Sequence, residues 1–129
     1  MKTTDKKIYL VDSGLSFNLP FPLVLRPQRG IQIYLTMDFS SRPSDSTPPF
    51  RELLLAEKWA RLHSMPFPPV REAVKAHLDS PIKECYVFKE EDESEHSDSF
   101  DDDHDEQPRP ECPVVIFFPM VNADFKTYK

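Results

Sequence analysis

Only two glycines, Gly14 and Gly30, occur in the 129 residues, and they stand sixteen positions apart. Loops that cradle phosphate need several closely spaced glycines, so that backbone N–H groups can approach oxygen atoms. A serine elbow of the G-x-S-x-G type needs two glycines in one short motif. Neither can be written on this chain, which excludes the common nucleotide-binding loops and a self-contained serine hydrolase. The first glycine instead closes the run Ile8-Tyr9-Leu10-Val11-Asp12-Ser13-Gly14. A short apolar strand there delivers a carboxylate into a glycine turn, where it is held rigidly and faces outward. A carboxylate so placed suits a proton acceptor, but no nucleophile accompanies it, so the run reads as half of an active site.

With 39% hydrophobic residues the chain has material for one domain at most. Its longest apolar run, Val114 to Val121, is interrupted by Pro119 and falls far short of the ~20 residues that span a bilayer. Residues 1–7 carry three lysines and no apolar core, unlike a secretory signal. The expected compartment is the cytosol, where Cys85 and Cys112 are free thiols rather than a disulfide. Neither belongs to a C-x-x-C pair or has a histidine at zinc spacing, so no metal is expected.

Hydrophobic periodicity outlines the elements. Asn18 to Pro22 reads as an extended, proline-stiffened connection. Ile31, Ile33, Leu35, Met37 and Phe39 alternate with more polar residues, which predicts a strand whose apolar side is buried. From Phe50 to His63 the spacing predicts an amphipathic helix, with Leu53, Leu55, Ala56, Trp59, Ala60 and Leu62 on one arc and Arg51, Glu57, Lys58 and Arg61 opposite. Glu52 and Leu54 violate that pattern, and Glu57 and Arg61 are spaced for an i,i+4 ion pair. A second helix is expected over Val70 to Leu78, and strands over Cys85 to Phe88 and Val114 to Phe118, the last apolar enough to be covered on both faces. The fold class is therefore α/β. The four histidines, His63, His77, His96 and His104, are expected at the surface.

The formal charge of −6 conceals two regions. Residues 90–106 hold eleven of the 22 acids and no lysine or arginine, which leaves sixteen bases against eleven acids elsewhere. With few apolar residues, the insertion at 90–110 is expected to be a disordered surface loop. The remaining body, at about +5, suits anionic lipid headgroups or phosphoesters. Its bases are scattered without interleaved aromatics, so no nucleic-acid partner is expected.

Two enzyme families place an Asp-Ser-Gly at the end of an apolar strand. Aspartic proteases need two carboxylates sharing a proton and a hydrophobic-hydrophobic-Gly support; Gly30 follows Gln28-Arg29, so that support is missing. The other family fits along nearly the whole chain. Val11-Asp12-Ser13-Gly14-Leu15, Asn18-Leu19-Pro20, Leu25-Arg26-Pro27-Gln28-Arg29-Gly30, Asp38-Phe39-Ser40, Arg42-Pro43-Ser44-Asp45, Pro48-Pro49-Phe50, Glu52 to Ala60, Pro66-Phe67-Pro68 and Lys83 to Lys89 follow one another in order. These motifs resemble the group IV cytosolic phospholipase A2 family, nearest its alpha-type members.

The resemblance implies a fragment, residues 1–129, of a patatin-like phospholipase catalytic domain with a mixed central sheet, covering helices and the acidic insertion. It implies hydrolysis of the sn-2 acyl ester of glycerophospholipids by a serine–aspartate dyad, in which Asp12 would be the general base and then acid. It places Arg29 as the counterpart of an arginine that helps bind phosphate, the other reading of Arg29 being a salt bridge that holds the loop beside Asp12. The family's serine, its glycine-rich oxyanion loop, a further arginine and its calcium-dependent membrane-targeting module correspond to sequence before the matched region. No cofactor is therefore expected in this chain itself, calcium being tied to that module. The isolated chain is expected to be inactive, cytosolic by ancestry and peripherally associated with phospholipid membranes. A non-catalytic interaction or regulatory module is the alternative from a different class.

Overall fold

The computed structural model describes Leu10, residues 12–90 and residues 111–124, and in it the most apolar strand takes the middle of a three-stranded sheet. The strands are β1 (Ile33–Asp38), β2 (Tyr86–Phe88) and β3 (Val114–Pro119), in the order β1-β3-β2. β1 runs parallel to β3 with Ile33 opposite Val114, and β2 runs antiparallel to β3 with Tyr86 opposite Phe117. Parallel neighbours need a long crossover, and α2 (Arg51–Leu62) and α3 (Val70–Lys75) lie on that connection. A single turn of helix, α1 (Phe21–Val24), precedes β1. Among the described residues no helix is long and apolar enough to cross a membrane.

All three helices contribute to one core on one side of the sheet. Val115 and Phe117 of β3 and Tyr86 and Phe88 of β2 point into it, meeting Phe21, Phe50, Leu53, Ala56, Ala60, Val70 and Val74. Phe50 is the aromatic hub, with its ring edge-on to Tyr86 at 4.8 Å and to Phe88 at 6.2 Å. Such edge-to-face pairs add about 0.5–1.5 kcal/mol beyond their buried area. Phe21 fills the other end of the core, edge-on to Phe67 at 5.2 Å and to Tyr34 at 5.6 Å.

Several expectations are corrected. β1 alternates as expected, but its faces are reversed: Ile33, Leu35 and Met37 are exposed, with Leu35 at 68%, whereas Thr36 and Asp38 are buried and Tyr34 is half-buried. Specific hydrogen bonds make the polar side the inner one. The Tyr34 hydroxyl donates to the Val24 carbonyl at 3.0 Å, and Asp38 Oδ1 accepts the Ser40 N–H at 2.8 Å. β3, too, is covered on one face among the described residues, not two, and Val87 and Phe118 join the exposed apolar side. Asn18 to Pro22 is not wholly extended either, since the α1 turn begins at Phe21. Pro22 falls in its first turn, where a missing N–H has no bond to lose.

In α2 the buried residues are Glu52, Leu53, Ala56 and Ala60, while Leu62, expected inside, is 71% exposed. The inward arc is thus shifted by about one residue, which brings Glu52 in and turns Leu62 out. Glu57 does not pair with Arg61. Its Oε2 accepts the Arg71 N–H at 2.9 Å instead and so satisfies an otherwise orphan donor in the first turn of α3. α2 ends where Ser64 turns left-handed (φ 53°) and Met65 N–H reaches back to the Ala60 carbonyl at 2.9 Å. α3 stops at Lys75, short of the Leu78 expected. His63 is exposed as expected, but the half-buried His77 rests edge-on against Tyr86 at 5.2 Å. The strand expected ahead of Asp12 lies outside the described residues apart from Leu10, which is in no element and 92% exposed. The acidic tract from residue 91 to residue 110, with His96 and His104, also lies outside them.

Candidate functional site

Asp12 caps a 3-10 turn, Ser13–Leu15, with extended backbone (φ −69°, ψ 116°), and its Oδ1 accepts the Gly14 N–H at 2.8 Å. An aspartate that bonds its own backbone two residues on is a standard turn-former, and here the bond fixes one carboxylate oxygen. The side chain is exposed, and Oδ2 meets no protein donor among the described residues. The carboxylate is therefore oriented by one oxygen and offered to solvent by the other. Space, rather than dihedral angle, is tight at Gly14, where an added side chain would press on the ends of two side chains. A Cβ there would stand 3.0 Å from Asp12 Oδ1 and 3.1 Å from Asn18 Oδ1.

Asn18 ends this loop and links it to α2. Its backbone N–H donates to Glu52 Oε2 at 2.9 Å and its Nδ2 to Oε1 at 3.5 Å. Asn18 also lines a hollow at the C-terminal end of β1 with Leu19, Met37, Asp38, Phe39 and Ser40. The buried Asp38 carboxylate is occupied by Ser40 N–H, and Ser40 Oγ is buried without a hydrogen-bond partner. No hydrogen bond joins Asp38 to Asp12, so the shared-proton geometry of an aspartic protease is not formed by this pair.

Arg29 is exposed and closes a second 3-10 turn, Pro27–Arg29, four residues before β1. Gly30 follows in the left-handed region (φ 57°), which a glycine adopts without strain. No ion pair or hydrogen bond joins Arg29 to Asp12. Its charge acts on Tyr34. Burial raises the Tyr34 hydroxyl above its ordinary range, and the Arg29 charge partly opposes the shift.

Cys85 and Cys112 are free, as expected. The register explains why: with Phe88 opposite Val115 and Tyr86 opposite Phe117, Cys85 falls beside Phe118 and not Cys112. Burial, helped by the Glu90 carboxylate and partly opposed by a hydrogen bond from the Glu90 backbone, pushes the Cys112 thiol up to about 11. It is protonated at neutral pH and a poor nucleophile. Among the described residues no three His, Cys, Asp or Glu side chains are grouped so as to hold a metal ion.

Sequence reasoning singled out Asp12 and Arg29 but gave no role to Asn18, Asp38, Ser40 or Glu52. The signal for Glu52 was present as the charge that broke the α2 pattern; the partner it finds, 34 residues away, was not.

Comparison with known proteins identifies the family. The lysophospholipase catalytic domain family matches residues 1–103. Cytosolic phospholipase A2 zeta of Mus musculus is 34% identical over 119 residues, which is 92% of this chain and 11% of that protein. The chain thus spans about a tenth of the length of the curated relative it matches. On the extent of both matches, the chain belongs to the lysophospholipase catalytic domain family.

Proposed function

We propose that this chain carries the carboxylate half of a phospholipase A2 or lysophospholipase site that hydrolyses the sn-2 acyl ester of glycerophospholipids. The observation that carries the reading is the Asp12 turn, an exposed carboxylate whose Oδ1 is tied to Gly14 N–H and whose Oδ2 is open to a reacting partner. Family membership and the name of the mouse relative, a phospholipase A2, support the reaction class.

In this reading Asp12 takes the proton from a serine hydroxyl as that oxygen attacks the ester carbonyl. It then returns a proton to the departing lysophospholipid oxygen. Arg29 offers a planar fork of donors to the phosphate of the same substrate, at the phospholipid surface where the enzyme works. Among the described residues no three His, Cys, Asp or Glu side chains are grouped that would hold calcium. Neither glycine can supply an oxyanion loop, and stabilisation of the oxyanion is commonly the largest catalytic term. The isolated chain should therefore show no turnover.

The test is a chimaera in which this chain replaces the matched segment of the mouse relative, assayed on phospholipid vesicles with the isolated chain beside it. The chimaera should hydrolyse the sn-2 ester, and Asp12→Asn should lower kcat by about 10²–10⁴-fold. Full activity in the Asp12→Asn chimaera would sink the proposal, as would turnover by the isolated chain that Asp12→Asn abolishes.

A further inference from the structure

The Asp12 turn has little of its own to hold it in place. None of the residues of its 3-10 turn is buried, and Leu15 projects into solvent. Glu52, by contrast, is 3% exposed, on the inward side of α2. A buried carboxylate is costly unless it is hydrogen-bonded or paired, and the donors it finds lie chiefly on the loop that Asp12 begins. Asn18 N–H donates at 2.9 Å and Asn18 Nδ2 at 3.5 Å, while the largely exposed Arg51 guanidinium adds an ion pair at 3.2 Å. On its other side Asn18 closes over Gly14, since its Oδ1 stands 3.1 Å from the position a Gly14 Cβ would take. Gly14 in turn donates to Asp12 Oδ1.

We propose that Glu52 is a positioning residue for Asp12, acting as a buried hydrogen-bond acceptor through Asn18 and Gly14. The inference deepens the reading of Asp12 as the proton acceptor and rests on it. The chain of contacts runs from the core outward: α2 holds Glu52, Glu52 holds the backbone of Asn18, Asn18 walls Gly14, and Gly14 N–H orients the carboxylate. A glutamate serves where a hydrophobic residue would not, because the loop presents an N–H and an amide rather than an apolar surface. Accepting the Asn18 backbone N–H anchors the main chain itself, which a contact to a mobile side-chain tip would not do.

The presence of only two glycines makes a direct test possible. Labelling with ¹⁵N-glycine gives one amide signal for Gly14 and one for Gly30. The Gly14 signal should move with pH as Asp12 ionises, because its N–H is bonded to that carboxylate; the Gly30 signal reports whether the fold survives. Glu52→Ala should abolish the Gly14 pH response and move its shift toward that of an unfolded chain, with Gly30 unchanged. Glu52→Gln, which keeps an acceptor oxygen, should restore the wild-type response. Asn18→Ala should weaken it, since the backbone tie remains while the wall over Gly14 is lost. A wild-type Gly14 response in folded Glu52→Ala overturns the proposal. If Glu52→Ala also loses the Gly30 signal, Asn18→Ala decides, and an unaltered Gly14 response there overturns the proposal equally. The readout does not depend on turnover, so failure of the chimaera assay and failure of this relay are distinguishable.

Discussion

The two faces of the sheet carry the same alternating sequence logic and opposite fates. Inside, β3 contributes Val115 and Phe117, β2 contributes Tyr86 and Phe88, and β1 contributes the half-buried Tyr34 with Thr36 and Asp38. Outside, Ile33, Leu35, Met37, Val87 and Phe118 meet solvent. For β1 the more polar set is the buried one. A period of two identifies a strand, but it does not say which side faces the core once a polar side chain has a backbone partner within reach. Tyr34 finds the Val24 carbonyl and Asp38 finds Ser40 N–H, so their burial costs little. An outer face this apolar has the composition of a second interior.

The sharpest test of that contrast is truncation on the inner side. Phe117→Ala should destabilise the chain by about 3–5 kcal/mol, measured by urea unfolding, because a fully buried ring leaves a cavity. Asp38→Ala should follow at about 1–3 kcal/mol, since Ser40 N–H would lose its acceptor in a part-buried setting. A smaller effect is expected from alkaline pH. The Cys112 thiol is raised from 9.0 to about 11 in the folded chain, so its contribution is present below pH 9 and is lost as the pH rises through about 11. Burial of Tyr34 acts in the same direction. Cys112→Ser should therefore flatten, without abolishing, the fall in stability over that window. The smallest change should come from the outer face, where Leu35→Ser should alter stability by no more than about 0.5 kcal/mol. A loss of about 2 kcal/mol there would mean that the outer face is covered in solution, and the contrast would fail.

What was legible in the sequence follows the same division. The α2 helix, the β1 strand and the apolar Val114–Phe118 strand were readable, because each depends on a pattern within a few residues. The turn at Asp12-Ser13-Gly14 was readable for a similar reason, as its hydrogen bond spans two positions. The facing of β1 was not, since it depends on acceptors supplied by Val24 and on the packing of Phe21. Leu62 was misplaced because a helical wheel gives an arc and not its exact centre, which tertiary packing sets. The tie between Asn18 and Glu52 belongs to tertiary structure alone. Arg29 was located by motif, and its local turn is set by Pro27 and Gly30, but no contact links it to Asp12 in the chain as folded.

One consequence of the strand register concerns tolerance to insertion. Phe88 and Val115 face each other across an antiparallel pair, so the chain departs from and returns to nearly the same point. The eleven acids at 90–106 lie within that excursion. Closing a loop whose ends already meet becomes only slowly more expensive with size, by about 0.6 kcal/mol for each doubling of its length. Where the connection is flexible, extra residues inserted at this position thus cost folding little, since the pairing of Phe88 with Val115 is set by the strands themselves and not by the length of chain between them.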